Sequence, residues 1–304
     1  MPDLASADVK LRQLQILREV LRSGSERYAA RLLKISQPAV SQQIKQLEAA
    51  LGLKLFLREK NRLIPTHQAW ELYRDIEVGF ASLDRVGRSV ATLKGEEPSA
   101  ISLAAPGIFC FRLLPQVVRA LRNRDPSHSA HIRSGSYQQT AEHILNGRAD
   151  LGISRLPLDE RIFEWQPVAT ARNICLFHPE HRFAAKELVV AEDLVGEPLI
   201  DIEPQFSAHQ MNINALRYMG VEPDIAVEFD ASGHDAGFVA AGIGVSITNQ
   251  VIAREYGHFG LSSRPFEPGA VYHYVVFWRR GRTLDDRLRF VVESVARIFR
   301  DDAR

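Results

Sequence analysis

Only two cysteines occur in the 304 residues, Cys110 and Cys175. They exclude a disulfide scaffold, and no Cys-x-x-Cys pair is available for zinc or redox work. No uncharged apolar run approaches the roughly 18 residues of a membrane span. The opening MPDLASADVK has no basic stretch leading into an apolar one, so no secretory signal is expected and a cytoplasmic location is. Signatures of catalysis are scarce. There is no G-x-S-x-G elbow and no Walker loop, and Gly242-Ile243-Gly244 lacks the third glycine of a dinucleotide fingerprint. His178-Pro179-Glu180-His181 is the nearest approach to a metal cluster, but a proline between the histidines prevents the helical pairing that a zinc site of the H-E-x-x-H kind needs. Cys175 stands among Ile174, Leu176 and Phe177 and reads as a buried, inert thiol; Cys110 has nothing near it in sequence to lower its pKa. No enzyme activity, cofactor or metal is expected. With 45% apolar and 25% charged residues, the composition is that of an ordinary globular chain, long enough for about two domains.

An excess of either charge is also missing, since the net is +1. The balance hides an asymmetry. Residues 1–66 hold twelve Lys/Arg against six Asp/Glu, a charge of +6; the remainder holds twenty-six against thirty-one, a charge of −5. A small basic region joined to a larger, mildly acidic one suggests nucleic-acid contact at one end.

That basic region reads as helices. Leu11, Leu14, Leu17 and Leu21 recur at spacings of three and four. Ser25 offers an N-cap with Glu26 in the first turn, and Ala29 and Ala30 are small enough for the close helix crossing of a helix-turn-helix. Ser36 offers a second cap, with Pro38 in the first turn where its missing N–H does no harm. On the helix that follows, Val40, Ile44, Leu47 and Leu51 share one face. The opposite face gathers Pro38, Gln42, Lys45 and Gln46, flanked by Gln37 and Ser41. Amides and hydroxyls with almost no acid suit base edges and phosphates in a major groove. A plain solvated face is the alternative, but such faces favour Glu/Lys pairs.

Gly52 ends this helix. Leu53, Leu55 and Leu57 alternate with Lys54, Phe56 and Arg58 as a strand does. Glu59-Lys60-Asn61 reads as a turn, with Arg62-Leu63-Ile64 returning. Such a ribbon is a wing, and Arg58, Lys60 and Arg62 suit a phosphate or a narrow minor groove. Thr66 then caps a long helix on which Ala69, Leu72, Ile76, Phe80, Leu83, Val86, Val90 and Leu93 form a near-heptad seam, predicting pairing between chains. Gly95 to Ser99 reads as a hinge.

Beyond residue 100 strands and helices alternate. Strands are expected at 101–104, 131–133, 151–153, 174–177, 199–202, 225–229, 245–248 and 272–278, and helices at 113–121, through Ile144, and from about Leu284 to Arg300. This predicts an α/β fold with a largely parallel sheet and a ligand crevice beyond the strand ends.

The segment SERYAARLLKISQPAVSQQIKQLEAALGLKLFLREKNRLIPT, Ser25 to Thr66, resembles the LysR-type transcriptional regulators. GRADLGI at Gly147–Ile153, DLVGEPLI at Asp193–Ile200 and VAAGIGVSI at Val239–Ile247 are similar to landmarks of that family's effector domain, so the resemblance covers the whole chain. It implies a winged helix-turn-helix over 1–66, a linker and dimerisation helix over 67–95, and an effector domain over 96–304 similar to periplasmic solute-binding proteins. Lobe I would take about 96–168 plus 266–304, and lobe II about 169–265. It also implies double-stranded promoter DNA and a small-molecule effector as partners, and a homodimer through the linker helix assembling to a homotetramer, with no membrane.

The candidate DNA-binding set is Ser25, Ser36, Gln37, Pro38, Ser41, Gln42, Lys45, Arg58, Lys60 and Arg62. Two residues depart from the family pattern: Gln42 stands where Arg is common, and Leu57 replaces the usual Glu before Arg58. The first bears on operator sequence rather than on DNA binding. For the effector, the resemblance points to the loop Pro106, Gly107, Ile108, Phe109, where Ile108 replaces the usual carboxylate-gripping hydroxyl. Backbone N–H groups from Gly107 onward, or Ser136, Tyr137 and Thr140 at a helix start, are the substitutes. Phe206 is similar to a cleft aromatic of benzoate- and muconate-responsive members. NRLIPT and the linker look more like lysine- and opine-responsive members, so amino acids, opine-like conjugates and aromatic carboxylates all stay open. An apolar residue beside a strand end is core more often than ligand contact, and that applies to Ile108, Phe109, Phe111 and Phe206. A solute-binding protein is the rival outside the class, but it would need an export signal and have no use for Ser25–Arg62.

Overall fold

The computed structural model describes residues 9–59, 62–93 and 100–301 and folds as two units, residues 1–96 and 97–304. In the first, helices α1 (Leu11–Ser23), α2 (Glu26–Leu33) and α3 (Gln37–Leu51) precede a hairpin of β1 (Phe56–Glu59) and β2 (Arg62–Pro65), and α4 (His67–Leu93) follows. Helix boundaries fall where side chains can satisfy the free N–H groups of a first turn. Ser25 Oγ accepts from Tyr28 N, Ser36 Oγ from Ala39 N, and Thr66 Oγ1 from Ala69 N. Ile16, Leu17, Val20 and Leu21 from α1 pack with Ala29, Ala30, Val40, Ile44 and Leu47 to form the core. Leu11, first of the expected stripe, is exposed.

Two expectations need correction here. The strand begins at Phe56, not Leu53, and its register pairs Phe56 with Pro65 and Glu59 with Arg62. Leu55 and Phe56 are both buried while Leu53 and Leu57 are exposed, so strict alternation fails. The cause is Glu48: its Oε1 accepts from Leu55 N at 2.8 Å and Phe56 N at 3.2 Å and draws both residues under α3. The α4 seam also divides. Ala69 and Ile76 belong to the domain core, with Leu72 and Phe80 packed against it, whereas Leu83, Val86 and Val90 are 45%, 56% and 44% exposed. Lys60, the tip of the expected turn, and the hinge Gly95–Ser99 lie outside the described residues.

The second unit runs β3 (Ala100–Pro106), α5 (Leu113–Arg124), β4 (Ser129–Gly135), α6 (Tyr137–Leu145), β5 (Leu151–Arg155), β6 (Phe163–Phe177), β7 (Val189–Val190), β8 (Pro198–Ile202), α7 (Ser207–Tyr218), β9 (Asp224–Phe229), α8 (Asp235–Ala240), β10 (Ser246–Asn249), α9 (Gln250–Glu255), β11 (Ser262–Glu267), β12 (Val271–Arg279) and α10 (Asp286–Asp301). One sheet has the order β4-β3-β5-β12-β6-β11-β7, with β10 also on β6; β8 and β9 pair separately. The sheet is mixed rather than largely parallel. β3 pairs in parallel with β4 and β5, but β12 is antiparallel to β5 and β6, and β6 is antiparallel to β10 and β11.

The long β6 makes two lobes of one sheet. Residues 163–172 pair with β12, and from Asn173 onward its partners are β10 and β11. Only its apolar end, 174–177, was legible in sequence. The earlier part carries Pro167 at a register shift opposite Tyr274 and Val275, the kind of irregularity where a strand tolerates proline. On one face of lobe I, α5 and α10 cover Leu103, Leu151, Tyr274 and Val276. On the other face Gly152 lies against the Phe277 ring, where an added Cβ would come within 2.3 Å of it. Lobe II has its own core around Phe177, Phe183, Leu199, Leu216 and Val245.

Candidate nucleic-acid interface and effector cleft

α3 presents Gln37, Pro38, Gln42, Lys45 and Gln46 to solvent, with Ser41 half-buried beside them. The side chains opposite, Val40, Ile44 and Leu47, anchor it in the core. Gln37 Nε2 donates to Glu26 Oε2 at 3.0 Å, tying the start of α3 to α2. Ser25 and Ser36 hold the two helix starts through their caps, so their hydroxyls are acceptors for backbone rather than free readers of a base. A groove of about 740 Å³ separates α3 from the hairpin, lined by buried Ile44 and Phe56 and by exposed Lys45 and Lys54. Arg58 and Arg62 fall on the paired strands of the hairpin, as a wing requires.

Glu48 fixes that geometry. Burial alone would raise its pKa, but the Leu55 and Phe56 N–H groups and the Lys54 ammonium at 3.1 Å outweigh burial and hold the carboxyl below its ordinary value. Arg18 fixes α4 in a similar way, with Nε 2.6 Å from Glu77 Oε1 and the guanidinium 4.9 Å from the centre of the Phe80 ring.

In the second unit several functional-type side chains meet at strand ends, where ligands bind in sheets of this kind. Arg155, the last residue of β5, lies 4.7 Å from the Tyr137 ring centre and 5.1 Å from that of Tyr272, and its Nη2 donates to Ser207 Oγ at 2.9 Å. Tyr137 opens α6 on lobe I, and Ser207 opens α7 on lobe II. Burial pushes the Tyr137 and Tyr272 hydroxyls upward, against the opposing charge of Arg155. Beneath them Tyr137 Oη is 3.5 Å from Tyr274 Oη, and Tyr274 exchanges hydrogen bonds with Asn249.

The expected effector loop folds differently. After Pro106, Gly107–Cys110 makes a 3-10 turn that aims Ile108 and Phe109 inward. Phe109 is fully buried against Tyr274 and Phe299, and Ile108 packs on the backbone at Gly233. Their side chains are core, which leaves only backbone there for a ligand. Thr140 is buried with its hydroxyl donated to the Ser136 carbonyl, and Ser136 Oγ accepts from Gln139 N in a capping box. Tyr137 is in the cleft cluster, and Phe206 is half-buried next to Ser207.

Comparison with known proteins places these features. Residues 94–300 match the LysR substrate binding domain, and residues 11–70 match the bacterial regulatory helix-turn-helix proteins of the lysR family. The regulatory protein NocR of Agrobacterium tumefaciens is 30% identical over 268 residues, covering 88% of this chain and 89% of that protein. The chain belongs to the LysR family. The transcriptional activator LysR of Escherichia coli is 29% identical over 260 residues, 86% of this chain and 84% of its own length. The crystal structure of CbnR, also a LysR family regulator, superposes with a TM-score of 0.68 at 22% identity, covering 97% of this chain and 100% of that one.

This LysR-family member is therefore a DNA-binding transcriptional regulator with an effector-binding domain, from a family that is not enzymatic. Among the described residues no group of His, Cys, Asp or Glu is placed to hold a metal, and His181 is engaged with Glu197 at 3.2 Å. No described helix is long and apolar enough to cross a membrane. Sequence reasoning missed Arg155 and Ser207. The available signal was positional: a charged residue directly after the apolar strand of GRADLGIS, and a hydroxyl at the start of the helix after DLVGEPLI.

Proposed function

We propose that this regulator reads a promoter operator with the exposed face of α3 and that a small carboxylate held at Arg155 resets it. Gln37, Pro38, Ser41, Gln42 and Lys45 face the DNA, Ser25 and Ser36 support the helix starts, and Arg58, Lys60 and Arg62 take backbone phosphates from the wing. The working division is 1–66 for DNA, 67–95 for dimerisation and 96–304 for the effector, with pairs of dimers forming a tetramer in the cytoplasm.

The carrying observation is the position of Arg155. Its guanidinium stacks between two rings, on Tyr137 and Tyr272, and reaches across the cleft to Ser207. A planar, permanently charged fork suits a carboxylate, which would take over the bond now made to Ser207 and change how the lobes are held. The start of α7 at that end, where no side chain caps the helix, supports small acids as the class. Amino acids and opine-like conjugates fit this cleft, and aromatic carboxylates are the alternative that Phe206 favours.

The test is thermal melting of the full chain against panels of small carboxylates, in wild type and Arg155→Gln. A ligand at a hundred times its Kd adds about 2.7 kcal/mol, well within the reach of a melting scan. The expected result is a shift in wild type that Arg155→Gln loses. An equal shift in both would remove Arg155 from the site.

A further inference from the structure

A strap from lobe II is buckled onto lobe I. β10 and β11 both pair with the lobe II end of β6, so the residues between them, 250–261, leave lobe II and return to it. On the way their side chains enter lobe I. Val251, Ile252 and Tyr256 share a core with Leu103, Leu113, Tyr274 and Phe299. Asn249 ties the start of the strap: its Oδ1 accepts from Val251 N and Ile252 N, while its Nδ2 donates to Tyr274 Oη on β12. Glu255, 2% exposed, ties the end. Its Oε2 accepts from Arg112 N at 2.9 Å and Leu113 N at 3.1 Å, and the Arg112 guanidinium lies 3.5 Å from its other oxygen. Those N–H groups open α5, whose first turn receives no capping bond from the side chain of Arg112 itself. A carboxylate there answers free N–H groups and the positive end of the helix dipole, so lobe II supplies the cap of a lobe I helix.

The next residue grips the other lobe. Tyr256 Oη donates to Asp235 Oδ1 at 2.5 Å, and Ser246 Oγ donates to Asp235 Oδ2 at 2.9 Å. Asp235 is 3% exposed and opens α8, which packs on β8 and β10 of lobe II. Just before α8, the backbone of Gly233 meets Ile108 of lobe I so closely that an added Cβ would come within 2.7 Å of it. Consecutive residues, Glu255 and Tyr256, therefore hold helix starts on opposite lobes, and one peptide unit fixes the spacing between them. The cleft side is held differently, since the bond from Arg155 to Ser207 is exposed. Water replaces an exposed hydrogen bond at little cost, whereas a buried acceptor that loses its donor keeps the whole cost of its desolvation. Movement between the lobes is easier at the cleft than at the strap.

We infer that this strap is the pivot of the effector domain: Glu255 and Tyr256 keep the starts of α5 and α8 together while the lobes open and close at Arg155 and Ser207. Loosening either grip is then felt in the lobe that the altered side chain does not touch. A bond of local importance disturbs its own partner alone. No particular effector is required, and the pivot stands whether or not Arg155 holds a carboxylate.

Amide hydrogen exchange of the full chain, read on peptides from α5, α7, α8 and α10, tests the pivot. Tyr256→Phe keeps the ring and removes only the hydroxyl. It is expected to speed exchange about tenfold or more both in α8 and at the start of α5, the scale of one lost charge-assisted hydrogen bond, with α7 and α10 unchanged. Glu255→Gln is expected to produce the same pair of changes from the other side. Should Tyr256→Phe fail to melt cooperatively, Ser246→Ala takes its place: it releases only the other Asp235 oxygen, and a smaller rise in both helices is expected. Exchange that rises in α8 alone for Tyr256→Phe, and at α5 alone for Glu255→Gln, overturns the pivot and leaves two local bonds. A uniform rise that includes α7 and α10 overturns it too, because the strap then stabilises the whole unit rather than the joint between its lobes. No change in either helix has the same consequence.

Discussion

Glu48 shares a helix with the exposed glutamines but turns the other way, into the hairpin. Its folded pKa is depressed, so it contributes stability above the ordinary carboxylate value of 4.5 and loses that contribution as pH falls through the lower folded value. Glu48→Gln is expected to cost about 1–3 kcal/mol near neutral pH, since Leu55 and Phe56 then meet a weaker acceptor. The deficit should close in acid, where the wild-type carboxyl is itself protonated. Urea unfolding of both chains across pH checks this, and a deficit that stays constant would refute the role. On the outer face, Gln37→Ala and Ser41→Ala should each lose about 1–3 kcal/mol of operator binding while leaving non-specific DNA binding intact, as losing a base contact does. Gel shifts on the chain's own upstream region separate the two. Unchanged specificity in both would remove that face from the groove.

At the scale of the element, α4 shows how one periodic stripe can serve two masters. Its heptad-like spacing continues without a break from Ala69 to Leu93. Its first turns are consumed by the core of the DNA-binding unit, where Arg18 pins them through Glu77 and Phe80. Among the described side chains of the stripe, Leu83, Val86 and Val90 remain uncovered by their own unit. Charging Leu83 and Val86 together should therefore dissociate the dimer in sedimentation with helicity and melting of the chain retained. Ile76→Asp should instead unfold the DNA-binding unit, because it buries an unpaired charge at a site that is 5% exposed. A dimer that survives both charges at Leu83 and Val86 would place the pairing surface elsewhere. No inspection of spacing alone divides this stripe, since period reports which residues share a face and not what covers it.

At the scale of the molecule, the net charge of +1 conceals a basic end and an acidic one. Association with DNA should fall steeply with salt, as counterions released by the basic residues are recovered. Replacing Arg58 by Ala should lower affinity for all sequences alike and flatten the log–log salt slope by about 0.9, the contribution of one phosphate. An unaltered slope would take Arg58 out of the wing contact. The mildly acidic second unit has a different design problem: two lobes share the strand β6, so any group that bonds across the cleft biases how they sit. Arg155 is such a group, with one set of contacts on each lobe.

Local chemistry decided much of this protein in the sequence itself. Ser25, Ser36 and Thr66 start helices because their oxygens answer adjacent N–H groups, and the amide-rich face of α3 follows from angular spacing alone. Those are interactions within a few residues, so the order of residues contains them. The effector cleft is the opposite case. Tyr137, Arg155, Ser207 and Tyr272 come from four separate elements and meet only because β6 runs from one lobe into the other. Ile108 and Phe109 stood in the expected loop, yet a single 3-10 turn rotated them into the core. Which side chains line a cleft depends on where long-range strand pairing puts them, and that pairing was settled by tertiary packing rather than by any local run of residues.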